Sequence, residues 1–133
     1  MNYTITQVAE KMNLTAYTLR YYEKEGLLPF VERSESGIRR FTDSDLDWLS
    51  LICCLKGTGM SVKNIREYID LYMQGEETLH ERMQIFIKQR ENVLQQIKEL
   101  EKHLAKVDGK IKFYEAACAA YDAKCKQAEQ KRA

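Results

Sequence analysis

The chain has 133 residues, a length that suits one ordinary domain or a small domain with an extended element. One proline and six glycines argue against a long linker, and no apolar run could span a bilayer. With 21 basic and 20 acidic residues the net charge is +1, which is low for a nucleic-acid-binding protein. The N-terminal residues lack the apolar core of a secretory signal, so we expect a cytoplasmic protein without a membrane partner, and four cysteines that are reduced thiols, metal ligands or core residues.

The first part of the chain predicts two short helices joined by a turn. Apolar residues recur between residues 5 and 12 at the spacing of one helical face, and a threonine precedes them as a possible cap. Thr15 can cap a second helix over residues 16 to 24, which Gly26 would end. Two helices connected in this way are typical of a helix-turn-helix.

Two adjacent tyrosines in the second predicted helix must point about 100° apart. Leu19 and Tyr22 fit the inward face, which leaves Tyr21 pointing outward beside Arg20. A phenolic hydroxyl and a guanidinium there could both reach phosphate oxygens of DNA. Packing of both rings in the core is the alternative interpretation.

The stretch FVERSESGIRRF predicts a β-hairpin in which Gly37 supplies a positive φ. Arg33, Arg39 and Arg40 cluster on this hairpin. A basic hairpin after a helix-turn-helix is the order of a winged helix-turn-helix. A solvated charged surface is the alternative for these arginines.

Two further helices follow the hairpin. Thr42 and Asp45 form a capping box for the third helix, which a glycine at position 57 or 59 would end. Ser61 can cap a fourth helix that Gly75 ends.

From about residue 77 onward the pattern changes to that of one long helix. Apolar residues from Leu79 to Cys125 alternate at spacings of four and three, and only Arg90 interrupts them. A sustained heptad pattern predicts a coiled coil, and a single helix cannot bury such a face, so we expect a homodimer. We therefore expect a mainly α protein with a DNA-binding domain at residues 1–75 and a coiled-coil dimerisation helix with a C-terminal tail at residues 76–133.

The segments TITQVAEKMNLTAYTLRYYEKEGLLP and GIRRFTDSDL, followed by a long terminal helix, resemble the MerR family of bacterial transcription regulators. The resemblance implies a winged helix-turn-helix domain and a helix that forms an antiparallel coiled coil with a second subunit. It also implies binding to double-stranded DNA at a pseudo-palindromic promoter with an overlong spacer. Activation would bend and untwist that promoter, so RNA polymerase is reached indirectly, and readout of DNA shape lessens the need for a large basic face.

The same resemblance assigns candidate DNA contacts to three parts of the chain. Base readout is expected where the second helix opens. Phosphate contacts are expected from the middle of that helix, from the hairpin and from the start of the fourth helix. The candidates are Thr15, Tyr17, Thr18, Arg20, Tyr21, part of Tyr22, Arg39, Arg40 and Lys63.

A cysteine in ICCLKGTGM, Cys54, resembles the sensing thiol of the aldehyde- and electrophile-responsive branch of the family. A cation such as Lys56 would lower the pKa of this thiol, whereas a place near a helix C-terminus would raise it. Burial of Cys54 as a structural residue is the alternative, and Cys53 is expected in the core.

A metal-responsive regulator would instead use Cys118 and Cys125, in CAAYDAKC. On a continuous helix these thiols would lie about 10 Å apart, too far to share a zinc ion with Zn–S bonds of ~2.3 Å. Both also fall on the heptad face, where a cysteine acts as a small hydrophobe.

The sequence gives little support to two other classes of function, an enzyme and a protein-docking scaffold. No motif implies a cofactor, and no set of acid, base and nucleophile suggests an enzyme. A coiled-coil scaffold that docks protein is the alternative from another class, although it has no need of the hairpin arginines.

Overall fold

The computed structural model describes residues 1–132, and it is mainly helical, as predicted. The first compact unit is Met1–Arg90, and the second begins at Glu91. In chain order the elements are β1 Asn2–Tyr3, α1 Ile5–Met12, α2 Ala16–Lys24, β2 Glu32–Arg33, β3 Arg39–Thr42, α3 Asp43–Gly57, α4 Val62–Gln74, a 3-10 turn Glu76–Thr78 and α5 Leu79–Arg132.

Local capping fixes the two helices of the helix-turn-helix. The Thr4 side chain caps α1 in a reciprocal capping box with Gln7. The Thr15 hydroxyl accepts a hydrogen bond from the Thr18 backbone N–H at 3.0 Å, so α2 begins where the sequence predicts. Asn13, with φ of 55°, closes α1 in the left-handed region that asparagine tolerates.

The end of α2 turns the chain back into the core. The Leu27 N–H donates to the Tyr22 carbonyl at 2.9 Å, and the Gly26 N–H donates to the Glu23 carbonyl at 3.1 Å. This is a Schellman motif, with Gly26 in the left-handed region at φ 81°. A side chain at Gly26 would also meet Arg66, because an added Cβ would lie 3.0 Å from its Nε.

The hairpin is part of a three-stranded antiparallel sheet in the order β1, β3, β2. Gly37 has a φ of 82° in the turn, which confirms its predicted role. Strand β1, which pairs Tyr3 with Phe41, was not predicted. Two residues are too short for an alternating pattern to be visible in the sequence.

The core of the first unit joins all four short helices and the sheet. A tyrosine on α2, Tyr22, packs among its aliphatic members with 6% of its surface exposed. The fully buried side chains are Val8, Leu19, Leu27, Phe41, Leu49, Ile52, Ile65 and Ile69.

The first turns of α5 belong to the first compact unit. Ile85 and Phe86 pack against its core, and the Thr78 hydroxyl donates to the carbonyl of Leu71 at 2.6 Å. The sequence predicts that the DNA-binding domain ends after residue 75, and this functional boundary stays a prediction. Compact packing by itself extends to Arg90.

In the second unit α5 continues as an unbroken helix to Arg132. Gly109 lies inside this helix and does not end it. Every residue from 91 to 132 is exposed except the half-buried Val93. Within residues 1–132, no helix combines the length and apolarity needed to cross a membrane.

Candidate nucleic-acid interface

The opening of α2 presents three candidate base contacts. Tyr17 is 78% exposed, Thr15 is exposed and Thr18 is half-buried. The two threonine hydroxyls lie 2.9 Å apart and share a hydrogen bond, which holds both side chains in place. Tyr17 is therefore the freest of the three to reach a base edge or a phosphate.

The two adjacent tyrosines of α2 differ in exposure, as predicted. Tyr21 is 43% exposed, whereas Tyr22 is buried in the core, and the ring centroids lie 6.2 Å apart. Burial raises the pKa of Tyr22, so its hydroxyl stays protonated. Any DNA contact by Tyr22 is limited to its small remaining surface, while Tyr21 lies beside the exposed Arg20.

Two hairpin arginines converge on one carboxylate of α2, that of Glu23. The Nε of Arg39 lies 3.0 Å from each Glu23 oxygen, and its Nη2 lies 2.8 Å from Oε1. Arg33 donates from Nη2 to the same Oε1 at 2.8 Å and from Nη1 to the Gly37 carbonyl at 2.8 Å. Glu23 was not predicted from the sequence, since its partners are 10 and 16 residues away and leave no periodic signal.

Electrostatics favour the ionised form of Glu23. Desolvation by burial would raise the pKa of this carboxyl, but the hydrogen bond and charge of Arg39, with a smaller contribution from Arg33, outweigh it. The net effect is a pKa below the ordinary value of 4.5. Arg39 therefore serves first to hold the hairpin against α2, and its predicted phosphate contact remains a prediction.

Arg40 and Lys63 are the exposed cations among the remaining candidates. Arg40 lies on β3 with its Cα opposite Glu32, and Lys63 lies in the first turn of α4. The Ser61 hydroxyl caps that helix by accepting from the Asn64 N–H at 3.1 Å. Lys63 therefore stands beside the positive end of a helix, where a phosphate is favoured.

The neighbouring cysteines of α3 have different surroundings. Cys53 is half-buried, and burial raises the pKa of its thiol. Cys54 is exposed, so the alternative of a buried structural residue is wrong. Its carbonyl accepts from the Thr58 N–H at 3.1 Å in the last turn of the helix.

A hydrogen bond connects the end of α3 to the beginning of α5. The Gln89 side-chain amide donates to the Thr58 hydroxyl at 2.7 Å, and that hydroxyl donates to the Leu55 carbonyl at 2.6 Å. Gln89 is 9% exposed and is the buried polar residue of α5. The turn that follows Cys54 is thus tied directly to the long helix.

The terminal cysteines, Cys118 and Cys125, are both exposed on α5. The intervening residues are helical, without a loop that could fold back to bring the thiols together. Nowhere in residues 1–132 do three or more histidine, cysteine or acidic side chains gather in a way that could hold a metal ion.

The second unit presents a row of exposed apolar side chains at heptad spacing. Leu100, for example, is 65% exposed and Leu104 is 58% exposed. Soluble monomers rarely expose so long an apolar row. Its other members between residues 93 and 121 are Ile97, Val107, Ile111, Tyr114 and Tyr121.

Comparison with known proteins places this architecture in a family. Residues 3–71 match the family model for the MerR HTH family regulatory protein, and residues 46–110 match the model described as MerR, DNA binding. An uncharacterized HTH-type transcriptional regulator from Haemophilus influenzae is 50% identical over 119 residues, which cover 90% of this chain and 88% of that protein.

Two further similar proteins extend the comparison. The HTH-type transcriptional regulator AdhR of Bacillus subtilis is 40% identical over 91 residues, which cover 68% of this chain and 65% of AdhR. HiNmlR, a MerR family regulator lacking the sensor domain and crystallised with promoter DNA, is 50% identical with a TM-score of 0.84, over 90% of this chain and 94% of HiNmlR. These relatives are transcription regulators, and the chain belongs to the MerR family of DNA-binding transcription regulators.

Proposed function

We propose that this protein is a homodimeric regulator that distorts a pseudo-palindromic promoter and responds to a thiol-reactive signal through Cys54. The signal is an electrophilic aldehyde or an oxidant. RNA polymerase is affected indirectly, because bending and untwisting the promoter allow the polymerase to engage both promoter elements.

Exposed groups of the first unit support promoter binding. Tyr17 at the opening of α2 is available for base readout, and Tyr21, Arg20 and Arg40 are available for phosphates. HiNmlR, which shares half of its aligned residues with this chain, was crystallised on promoter DNA. A docking scaffold for protein would not need this combination of aromatic and cationic groups.

The exposed apolar row of α5 supports a homodimer. Burying one leucine side chain contributes about 1.5–3 kcal/mol, so burial of several such residues from each of two subunits favours a coiled coil. A two-fold dimer also matches a pseudo-palindromic operator, since each subunit contacts one half-site. The antiparallel orientation follows from the family resemblance.

The exposed thiol of Cys54 carries the sensing part of the proposal. It lies in the last turns of α3, inside the unit that would contact DNA. HiNmlR is described as lacking the sensor domain, and a thiol on α3 offers a sensing group that needs no such domain. Cys53, whose pKa is raised by burial, is less suited to react as a thiolate.

An in vitro transcription assay with the dimeric protein tests this function. The variants are Cys54→Ser, Cys53→Ser and the double variant Cys118→Ser with Cys125→Ser. We expect an electrophilic aldehyde or diamide to increase transcription with the wild type, with Cys53→Ser and with the double variant, and to have no effect with Cys54→Ser. Operator binding should be unchanged in Cys54→Ser, because Cys54 is not one of the proposed DNA contacts.

The same assay with zinc in place of the electrophile examines the metal alternative. Activation by zinc that is lost in the double variant, together with a normal electrophile response in Cys54→Ser, would reverse the assignment. A response to electrophiles that survives removal of all four thiols would also contradict a cysteine sensor.

A further inference from the structure

We propose that Glu23 determines how specifically this protein binds DNA, by confining two hairpin arginines that would otherwise grip phosphates of any sequence. The inference rests on the proposed contact between the hairpin and DNA, and it is independent of how the protein senses its signal. Glu23 is a positioning residue, because it acts through Arg33 and Arg39.

The contacts of Glu23 join three separate elements. Its carboxylate lies in the last turn of α2, while Arg33 lies on β2 and Arg39 on β3. Four contacts between 2.8 and 3.0 Å connect the carboxylate to the two guanidinium groups. Charge-assisted bonds of this length are among the stronger polar contacts in proteins, and a fork-shaped guanidinium fixes direction as well as distance.

The geometry also limits what each arginine can do. Both terminal nitrogens of Arg33 are engaged, one by Glu23 and one by the Gly37 carbonyl of the hairpin turn. Arg39 uses its Nε and Nη2, and its side chain is only 21% exposed. Arg33 and Arg40 are both exposed, but Arg40 has no contact with Glu23, so Arg40 is the hairpin arginine best placed to meet a phosphate.

The charge of this network favours selectivity. Two guanidinium groups and one carboxylate give this cluster a net charge of +1, whereas the two arginines without Glu23 would carry +2. Phosphate contacts by free arginines supply sequence-independent affinity and steepen its dependence on salt. Glu23 therefore lowers non-specific attraction while it fixes the hairpin relative to α2, which carries the candidate base contacts.

The test compares two isosteric variants, Glu23→Gln and Glu35→Gln. Glu35 is exposed in the hairpin turn between Arg33 and Gly37, whereas Glu23 lies on α2 against the same hairpin, so each variant removes one negative charge close to the hairpin arginines. The probes are an operator selected from random duplexes by the wild-type protein and a scrambled duplex of the same length. Fluorescence anisotropy from 50 to 300 mM salt gives the affinity for each probe and its salt dependence.

We expect Glu23→Gln to lower the ratio of operator affinity to scrambled affinity about tenfold, roughly the effect of one charge-assisted hydrogen bond. Its log-log salt slope on scrambled DNA should steepen by about one, because Arg39 is released while Arg33 keeps its hydrogen bond to the Gly37 carbonyl. Glu35→Gln should change the ratio less than twofold and leave the slope as in the wild type. A loss of folding alone would lower both affinities equally, so each sample is checked by circular dichroism and its DNA-binding-competent fraction is measured by stoichiometric titration with operator DNA.

An unchanged ratio in folded Glu23→Gln, or an equal effect in Glu35→Gln, would overturn the inference. Arg40→Ala, measured beside them, separates this failure from a failure of the proposed function. If Arg40→Ala weakens binding while Glu23→Gln behaves as the wild type, the hairpin binds DNA and the role of Glu23 is wrong. If neither variant differs from the wild type, the hairpin is not part of the interface.

Discussion

At the scale of single residues, neighbouring side chains of the same type take different roles because the backbone points them in different directions. Tyr21 and Tyr22 are successive residues of one helix, yet Tyr22 completes the core and Tyr21 remains at the surface. The same division separates the half-buried Cys53 from the exposed Cys54 on α3. A helix rotation of about 100° per residue is enough to produce both divisions.

The hairpin provides the first prediction, which concerns Arg40. Arg40→Ala should weaken binding to operator and scrambled DNA by a similar factor and reduce the salt slope by about one, since one phosphate contact is lost. Lys88→Ala, which removes another exposed cation, this one on α5, serves as the control. A change in base preference without a change in slope would contradict a phosphate contact.

The cysteine pair provides the second prediction. Iodoacetamide at pH 8 should alkylate Cys54 well before Cys53, because Cys54 is exposed while burial both shields Cys53 and raises the pKa of its thiol. Mass spectrometry of timed samples measures the two rates within one peptide. Raising the pH should increase labelling at Cys53, since more of its thiolate forms. Equal rates at pH 8 would show that the burial of Cys53 is not maintained in solution.

At the scale of secondary-structure elements, the beginnings of the helices were predictable because their signals are local. Thr15 and Ser61 each cap a helix through an N–H three residues away, and Thr42 with Asp45 forms the predicted capping box. Gly75 ends α4 as predicted.

Elements joined by distant contacts were harder to predict. Strand β1 forms only by pairing with β3 some forty residues later. Glu23 contacts its arginine partners only when the hairpin folds back onto α2. Gln89 contacts Thr58 only when α5 packs against the turn after α3. Neither periodicity nor composition records such contacts, so the candidate phosphate contacts could be proposed from sequence while the residue that confines two of the hairpin arginines could not.

The third prediction concerns the link between α3 and α5. Gln89→Ala should lower the free energy of unfolding by about 1–2 kcal/mol, because it removes a buried hydrogen bond to Thr58 along with packed atoms. Chemical denaturation measures this change. Gln84→Ala, the same substitution at an exposed position of α5, should stay within about 0.5 kcal/mol of the wild type.

The same pair of variants connects stability to regulation. The backbone N–H of Thr58 also donates a hydrogen bond to the carbonyl of Cys54. Loss of the Gln89 contact to the Thr58 hydroxyl should therefore loosen the segment that follows the proposed sensor. Gln89→Ala should therefore alter the response to an electrophile, while Gln84→Ala should not. An unaltered response in a folded Gln89→Ala variant would show that the signal does not depend on this link.

At the scale of the whole molecule, the exposed apolar row of α5 is the feature that supports the proposed homodimer. The first unit has a closed core, whereas the residues from Glu91 to Arg132 are nearly all exposed in a single chain. Apolar side chains at heptad spacing have a partner helix as their natural cover. In the proposed homodimer, assembly and DNA binding are coupled, since an isolated subunit would contact a single half-site.

The last prediction tests this coupling with charges placed on the apolar row. Leu100→Lys or Leu104→Lys should dissociate the dimer, because two-fold symmetry would place two unpaired ammonium groups inside one interface. Sedimentation velocity measures the oligomeric state, and operator binding should fall sharply as each half-site is then held by a separate subunit. Gln95→Lys adds the same charge on the outer face of the helix and should remain dimeric with normal binding. If the leucine variants stay dimeric while Gln95→Lys dissociates, the helix pairs through a different face than the heptad pattern indicates.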